Sequence, residues 1–165
     1  MILEGPRVQL VPVGPEHRER LNELRRLPEV VRWWKEPWGD WLAEEADTVR
    51  YAVLLEGEIV GYVQWWEDGQ PLYRHAGVDL FLDPAVHGRG LGTETLRLLC
   101  AHLIDEHGFH RLVIDPEVEN EVAIASFRKV GFRPVGVMRR YIRDGPGDWK
   151  DGLLMDLLAE EFVRG

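Results

Sequence analysis

The sequence predicts an α+β protein: a mixed, mostly antiparallel sheet of about seven strands with helices flanking it. Two observations lead there. The periodicity of apolar residues changes along the chain, from a helix-rich start through alternating runs to two strand-then-helix units after Ala76. No repeat, low-complexity tract or linker interrupts the 165 residues, so one domain over residues 1–165 is expected.

Taken in order, "RVQLVPV" alternates as a strand does. "GPEHRERLNELRRLP" then places Pro15 in a first helical turn and Pro28 at the stop. A short helix is expected from Glu29 to Trp34. After the irregular, aromatic "WWKEPWGDW" a further helical segment is expected around Leu42 to Thr48. "YAVLLEGEIVGYVQWW" reads as an antiparallel hairpin turning at Glu56-Gly57-Glu58. In "AGVDLFLDP", Val78, Leu80 and Leu82 fall on one face, with Asp79 and Phe81 on the other. From Thr93 to His107 the apolar positions Leu96, Leu99, Cys100, Leu103 and Ile104 keep helical spacing, and Gly108 ends the run. "RLVID" is the next strand. Asn120 caps a helix carrying Ala123, Ile124, Phe127 and Val130, which Gly131 closes. "RPVGVMRRYI" and "WKDGLLMDLL" are strands joined through "DGPGD". Two strand-to-helix units among hairpins imply a short parallel centre.

Composition narrows the function. A formal charge of −9 and scattered arginines disfavour nucleic acid and favour a small cationic ligand. One cysteine, Cys100, on an apolar helix face excludes an internal disulfide and suits a reducing compartment. No basic leader precedes an apolar run and no stretch could span a membrane, which predicts a cytoplasmic protein without membrane contact. The six histidines, His107 and His110 among them, lack metal-ligand spacing, so no metal is expected.

The most unusual stretch is "HGRGLGT", residues 87–93, directly before a helix. A helix start presents unpaired N–H groups and about half a positive charge, and glycines let an anion such as a phosphate reach them. Arg89 adds a cation. The turn is not the lysine-containing phosphate loop of nucleoside triphosphatases, nor a dinucleotide fingerprint, because its third glycine comes one residue early. Alone it also fits a tight strand-to-helix junction that needs glycine for φ > 0.

A second segment changes the weight. "LFLDPAVHGRGLGTETLRLL" followed by "IDPEVENEVAIASFRKVGFRPVG" resembles motifs A and B of the GCN5-related N-acetyltransferase superfamily. His87, Gly90 and Gly92 match the first motif, and Asn120, Ala123, Phe127, Gly131 and Phe132 match the second. "VRWW", "GEIVGYVQ", "GVD", "DP" and "DGP" extend the similarity to the aminoglycoside 6′-N-acetyltransferase branch. The resemblance implies acetyl-coenzyme A as cosubstrate, held by Leu82, His87, Gly88, Arg89, Gly90, Leu91, Gly92 and Thr93 together with Asn120, Ala123, Phe127 and Lys129. It also implies two central strands that splay apart, the pantetheine arm lying between them as an extra strand. Pro116, lacking an N–H, is expected to help hold that gap open.

The same resemblance implies the chemistry. The N–H of Leu82 would stabilise the oxyanion, Asp79 would take the proton from the attacking amine, and Asp115 would bind substrate. Asp79 also fits an edge charge facing water, and Asp115 a cap on the turn with Pro116. Many relatives carry a tyrosine as general acid where Phe127 stands; phenylalanine has no proton to give, and a thiol with pKa near ~8.5 can leave without one. Ser126 or a water is the alternative donor.

Tryptophans interleaved with carboxylates suit a polyamine sugar, through ring contact, ion pairing and cation–π attraction, and Trp34, Trp38 and Trp66 are the candidates. The same tryptophans could equally fill the core. The sequence therefore points to acetyl transfer onto a primary amine, first the 6′-amine of an aminoglycoside. Another amine or hydroxylamine, such as a siderophore precursor or a protein N-terminus, is the alternative acceptor. A non-catalytic acyl-coenzyme A sensor, which would keep the glycine turn without needing Asp79, is the rival of another class.

Overall fold

The computed structural model describes all 165 residues. Eight strands form one sheet in the order β1-β2-β3-β4-β5-β6-β8-β7. They are β1 (Leu3–Glu4), β2 (Val8–Pro12), β3 (Thr48–Leu55), β4 (Glu58–Asp68), β5 (His75–Leu82), β6 (Arg111–Ile114), β7 (Arg133–Arg143) and β8 (Trp149–Leu158). The helices are α1 (Arg18–Arg25), α2 (Pro28–Trp34), α3 (Leu91–Asp105) and α4 (Glu121–Val130). The strand beyond the expected seven is β1, two residues that pair Leu3 with Leu10. Such a piece is too short to show alternation.

Every strand pair is antiparallel except β5 with β6. That parallel pair is only two residues long, Ala76 with Leu112 and Gly77 with Val113, so the sheet opens beyond it. Alternation along β5 sorts its side chains as the sequence indicates. Ala76, Val78 and Leu82 join α3, α4 and Phe132 in the larger core, whereas Phe81 points to the opposite face, into a smaller core with Leu21, Leu24, Val30, Leu42 and Tyr62. Helices α1 and α2 cover this second face over β3 to β5 and leave it bare over β6 and β8.

Two local expectations fail. Pro28 starts α2 rather than stopping α1, as its fixed φ and missing N–H allow at a first helical position. No helix forms over Leu42 to Thr48. Leu42 is buried in the smaller core while the Asp40 carboxylate accepts from its N–H at 3.2 Å. This fixes a turn, and Thr48 already pairs with Trp66 in β3. The helix expected from Thr93 begins two residues earlier, at Leu91, and ends at Asp105.

Candidate active site

Where β5 and β6 part, the uncovered sheet face holds a cavity of about 420 Å³ lined by Trp66, His75, Gly77, Asp79, Arg111, Asp115, Met138 and Tyr141, with Val78, Val113 and Leu154 between them. Two carboxylates share this space. Burial first, and the negative charge of Asp115 second, push Asp79 up to about 7, against the opposing pull of the Leu80 N–H and Arg25. Asp115 is also raised by burial, offset by the hydroxyl of Tyr141 that donates to it. Arg111 lies in the same cavity with its Nε 3.1 Å from Asp156, so the Asp79 and Asp115 charges remain for a cationic ligand.

Trp66 forms one wall because β5 has no side chain beneath it. A Cβ on Gly77 would fall 2.1 to 2.4 Å from three atoms of the Trp66 indole, closer than any real contact. The glycine of "GVD" thus makes room for the aromatic wall, and the aspartate two residues on supplies the charge.

Beyond Gly77 the backbone of β5 has no strand on its β6 side, and side chains take its carbonyls. Trp34 Nε1 donates to Leu80 O at 3.0 Å, and His87 Nε2 lies 3.1 Å from Leu82 O. A carbonyl only accepts, so Nε2 of His87 carries the proton. Asp83 N–H donates to Val60 O of β4 at 2.7 Å. Because strand amides alternate, the Leu82 N–H points the other way, into the gap.

The "HGRGLGT" turn lies at the far end of that gap and opens α3. Gly90 is the N-cap residue at φ 75, ψ 10, and Gly88 has φ 79. Both are left-handed, where side chains are strained, so the glycines serve the junction and bare its amides together. Arg7, from the β1–β2 turn, donates to Arg89 O at 2.8 Å and to Glu94, which also accepts from the N–H groups of Arg7 and Val8. A second cation therefore stands beside Arg89 where the sequence showed one. Thr93 Oγ1 is 2.7 Å from Ser126 Oγ, which ties the first turn of α3 to α4 and engages the hydroxyl considered as a proton donor.

The remaining candidates divide. Asn120 caps α4, accepting from Ala123 N–H at 3.3 Å. Phe127 is buried in the larger core and Lys129 is exposed, its carbonyl accepting from Arg97. Trp34 stands edge-on to Tyr62 and Phe81 in the smaller core, and Trp38 is 94% exposed. Of the three tryptophans singled out, only Trp66 reaches the two carboxylates. Pro116 plays a different part from the expected one. Its carbonyl accepts from Leu153 N–H of β8 at 2.7 Å, so its missing donor faces β8 and not the gap.

Two features have no clear sequence signal. Glu117, its side chain 1% exposed, accepts from Lys35 at 2.8 Å and Arg32 at 3.4 Å, fastening the end of α2 to the chain after β6. Lys35 and Glu117 stand 82 residues apart in sequence, beyond any local pattern. Tyr141 reaches the cavity only through an irregularity in β7, which strand alternation cannot foresee.

The site is thus a gap with a bare-amide turn at one end and paired carboxylates at the other. The model of the "Acetyltransferase (GNAT) family" matches residues 16–132. The chain belongs to this family. Spermidine N(1)-acetyltransferase of Escherichia coli is 24% identical to this acetyltransferase over 167 residues, 94% of this chain and 88% of that protein. Aminoglycoside N(6′)-acetyltransferase type 1 of Klebsiella pneumoniae is 34% identical over 147 residues, 81% of this chain but 65% of that one. The spermidine N-acetyltransferase of Vibrio cholerae, solved with CoA and spermine, superposes with a TM-score of 0.82 at 16% identity over 94% of this chain and 97% of its own. That likeness establishes the acetyltransferase fold. No helix is long and apolar enough to cross a membrane.

Proposed function

We propose that this acetyltransferase transfers an acetyl group from acetyl-CoA directly to a primary amine seated between Asp79 and Asp115, with the 6′-amine of an aminoglycoside as the leading acceptor. One observation carries the reading: the sheet opens between β5 and β6, with the glycine turn at one end and the carboxylate pair at the other. The fit to the cosubstrate rests on the left-handed glycines 88 and 90 and on the Leu82 N–H that faces the gap without a strand partner.

Bound there, acetyl-CoA supplies the activated acetyl thioester. The turn from His87 to Thr93 would hold the diphosphate, with Arg89 as countercharge and Arg7, paired with Glu94, bracing the turn through Arg89 O. Leu82 N–H would donate to the thioester oxygen as charge gathers on it, a contribution of roughly 3 kcal/mol for one such donor. Asp79, raised to about 7, suits a general base at neutral pH, since it can take the ammonium proton and release it again. Asp115 would pair with a second ammonium while Trp66 covers the apolar ring face.

A screen of amines for acetyl-CoA-dependent thiol release tests the reading. Kanamycin A, spermidine and a short peptide with a free N-terminus stand for the three acceptor classes. Turnover with kanamycin A well above the other two is expected. A higher kcat/KM for another amine would replace the acceptor, and coenzyme A binding without turnover of any amine would favour a sensor.

A further inference from the structure

We propose that Tyr141 is a positioning residue: the bulged strand β7 aims its phenol at Asp115, so that Asp115 stays ionised to anchor the acceptor and Asp79 carries the exchangeable proton. The kinetic arm of the test rests on the acetyl-transfer reading; the geometric argument does not.

A bulge in β7, held at Arg140, and a glycine in β8 deliver Tyr141 to that spot. The pairing of β7 with β8 breaks between Met138, opposite Gly152, and Ile142, opposite Lys150, so three residues of β7 face one of β8. Bulges of this kind re-aim a side chain beside active sites. Here the break lets both Met138 and Tyr141 line the cavity. Arg140, inside the bulge, sits at φ 50, uncommon for a residue with a side chain, and its N–H donates to Asp151 at 2.7 Å, which locks the distortion. Gly152 lies under the phenol: a Cβ there would be 2.7 Å from Tyr141 Cδ2 and 3.2 Å from Met138 Cε. A bulge, a held left-handed residue and a missing side chain thus converge on one hydroxyl, and that hydroxyl donates to Asp115.

Two carboxylates in one cavity do not ionise equally, and the hydrogen bond decides which keeps its proton. Asp79 is surrounded by Asp115 just after β6, Arg25 from α1, Tyr62 from β4 and Tyr141 from β7, with the Leu80 N–H on its own strand. His75 and Arg111 line the same cavity, the latter engaged by Asp156. Among these only Tyr141 donates a hydrogen bond to Asp115. The proton taken from the substrate ammonium then moves to Asp79 and does not neutralise the anchor.

The test is a carboxyl-carbon NMR titration of aspartate-labelled protein, compared with Tyr141→Phe, Gly152→Ala and Asp79→Asn. In the unaltered protein one aspartate titrates at about 7 and is missing in Asp79→Asn, and a second, Asp115, is raised from its ordinary value by burial. Tyr141→Phe raises the Asp115 midpoint by about one pH unit, the scale of losing one hydrogen bond to the charged form, and Gly152→Ala does the same by displacing the ring. In thiol release with kanamycin A, Tyr141→Phe lowers kcat/KM at least about twofold at pH 6.5 and by a smaller factor at pH 9, where both carboxylates are ionised in either protein. An Asp115 midpoint unmoved by Tyr141→Phe, or an equal fractional loss at both pH values, would overturn the proposal. If no amine supports turnover, the acetyl-transfer reading falls while the titration still decides the role of Tyr141.

Discussion

Asp79→Asn should make the protein more stable at alkaline pH and nearly inactive. The folded structure raises this carboxyl from an ordinary 3.8 to about 7. A raised acid binds its proton more tightly in the folded state, so ionising it costs stability. The cost is absent below 3.8, grows through the interval and is complete above about 7. At 1.36 kcal/mol per pH unit the full cost is about 4 kcal/mol, of which roughly a third is already felt at pH 5. The neutral amide carries none of it, although it also gives up the attraction to Arg25. The stability advantage of Asp79→Asn should therefore widen by about 2–3 kcal/mol between pH 5 and pH 8.5. Urea denaturation of both proteins at the two pH values measures this directly. Coenzyme A affinity should stay unchanged, while thiol release should fall by about 10²–10⁴, the usual contribution of a general base. A pH-independent stability difference would mean that Asp79 is an ordinary solvated charge, and the proton-transfer role would go with it.

Other substitutions separate the parts of the site. Gly77→Ala must drive the Trp66 indole from its wall, so the KM of the amine should rise about tenfold or more while coenzyme A affinity holds, read from steady-state kinetics and calorimetry. Gly90→Ala places a Cβ on a left-handed N-cap; thermal denaturation should show a loss of about 1–2 kcal/mol and the KM for acetyl-CoA should rise. Glu117→Gln leaves Lys35 facing a neutral group in a mostly buried pair and should cost about 3 kcal/mol, seen as a lower urea midpoint.

Much of the fold was legible because its signals are local. Alternation in "AGVDLFLDP" assigned Phe81 and Val78 to opposite faces, and Asn120 and Gly131 marked both ends of α4 as caps do. The helix expected over Leu42 to Thr48 does not form because its local preference yields to one tertiary contact, the burial of Leu42 in the core that holds Tyr62 and Phe81. The glycine turn and the pair Asp79 and Asp115 could be found in sequence order, and the cavity brings the two carboxylates together with Trp66. Trp34 and Trp38 looked equivalent to Trp66 in composition. Trp34, at the end of α2, packs edge-on to Tyr62 and Phe81, Trp38 lies exposed beyond that helix, and only Trp66 stands on the strand beside the cavity, a difference of tertiary position that composition does not carry. Arg7, Glu117 and Tyr141 could not be foreseen, since each acts through a partner remote in sequence or through a strand irregularity.

Titrating the protein with coenzyme A tests the central claim, that the parted strands and the glycine turn form a thioester-binding gap. One saturable site per chain is predicted, weakened when Gly90 is replaced by valine and unaffected by Asp79→Asn. A protein that shows no binding of coenzyme A or acetyl-CoA at millimolar concentration would contradict the account.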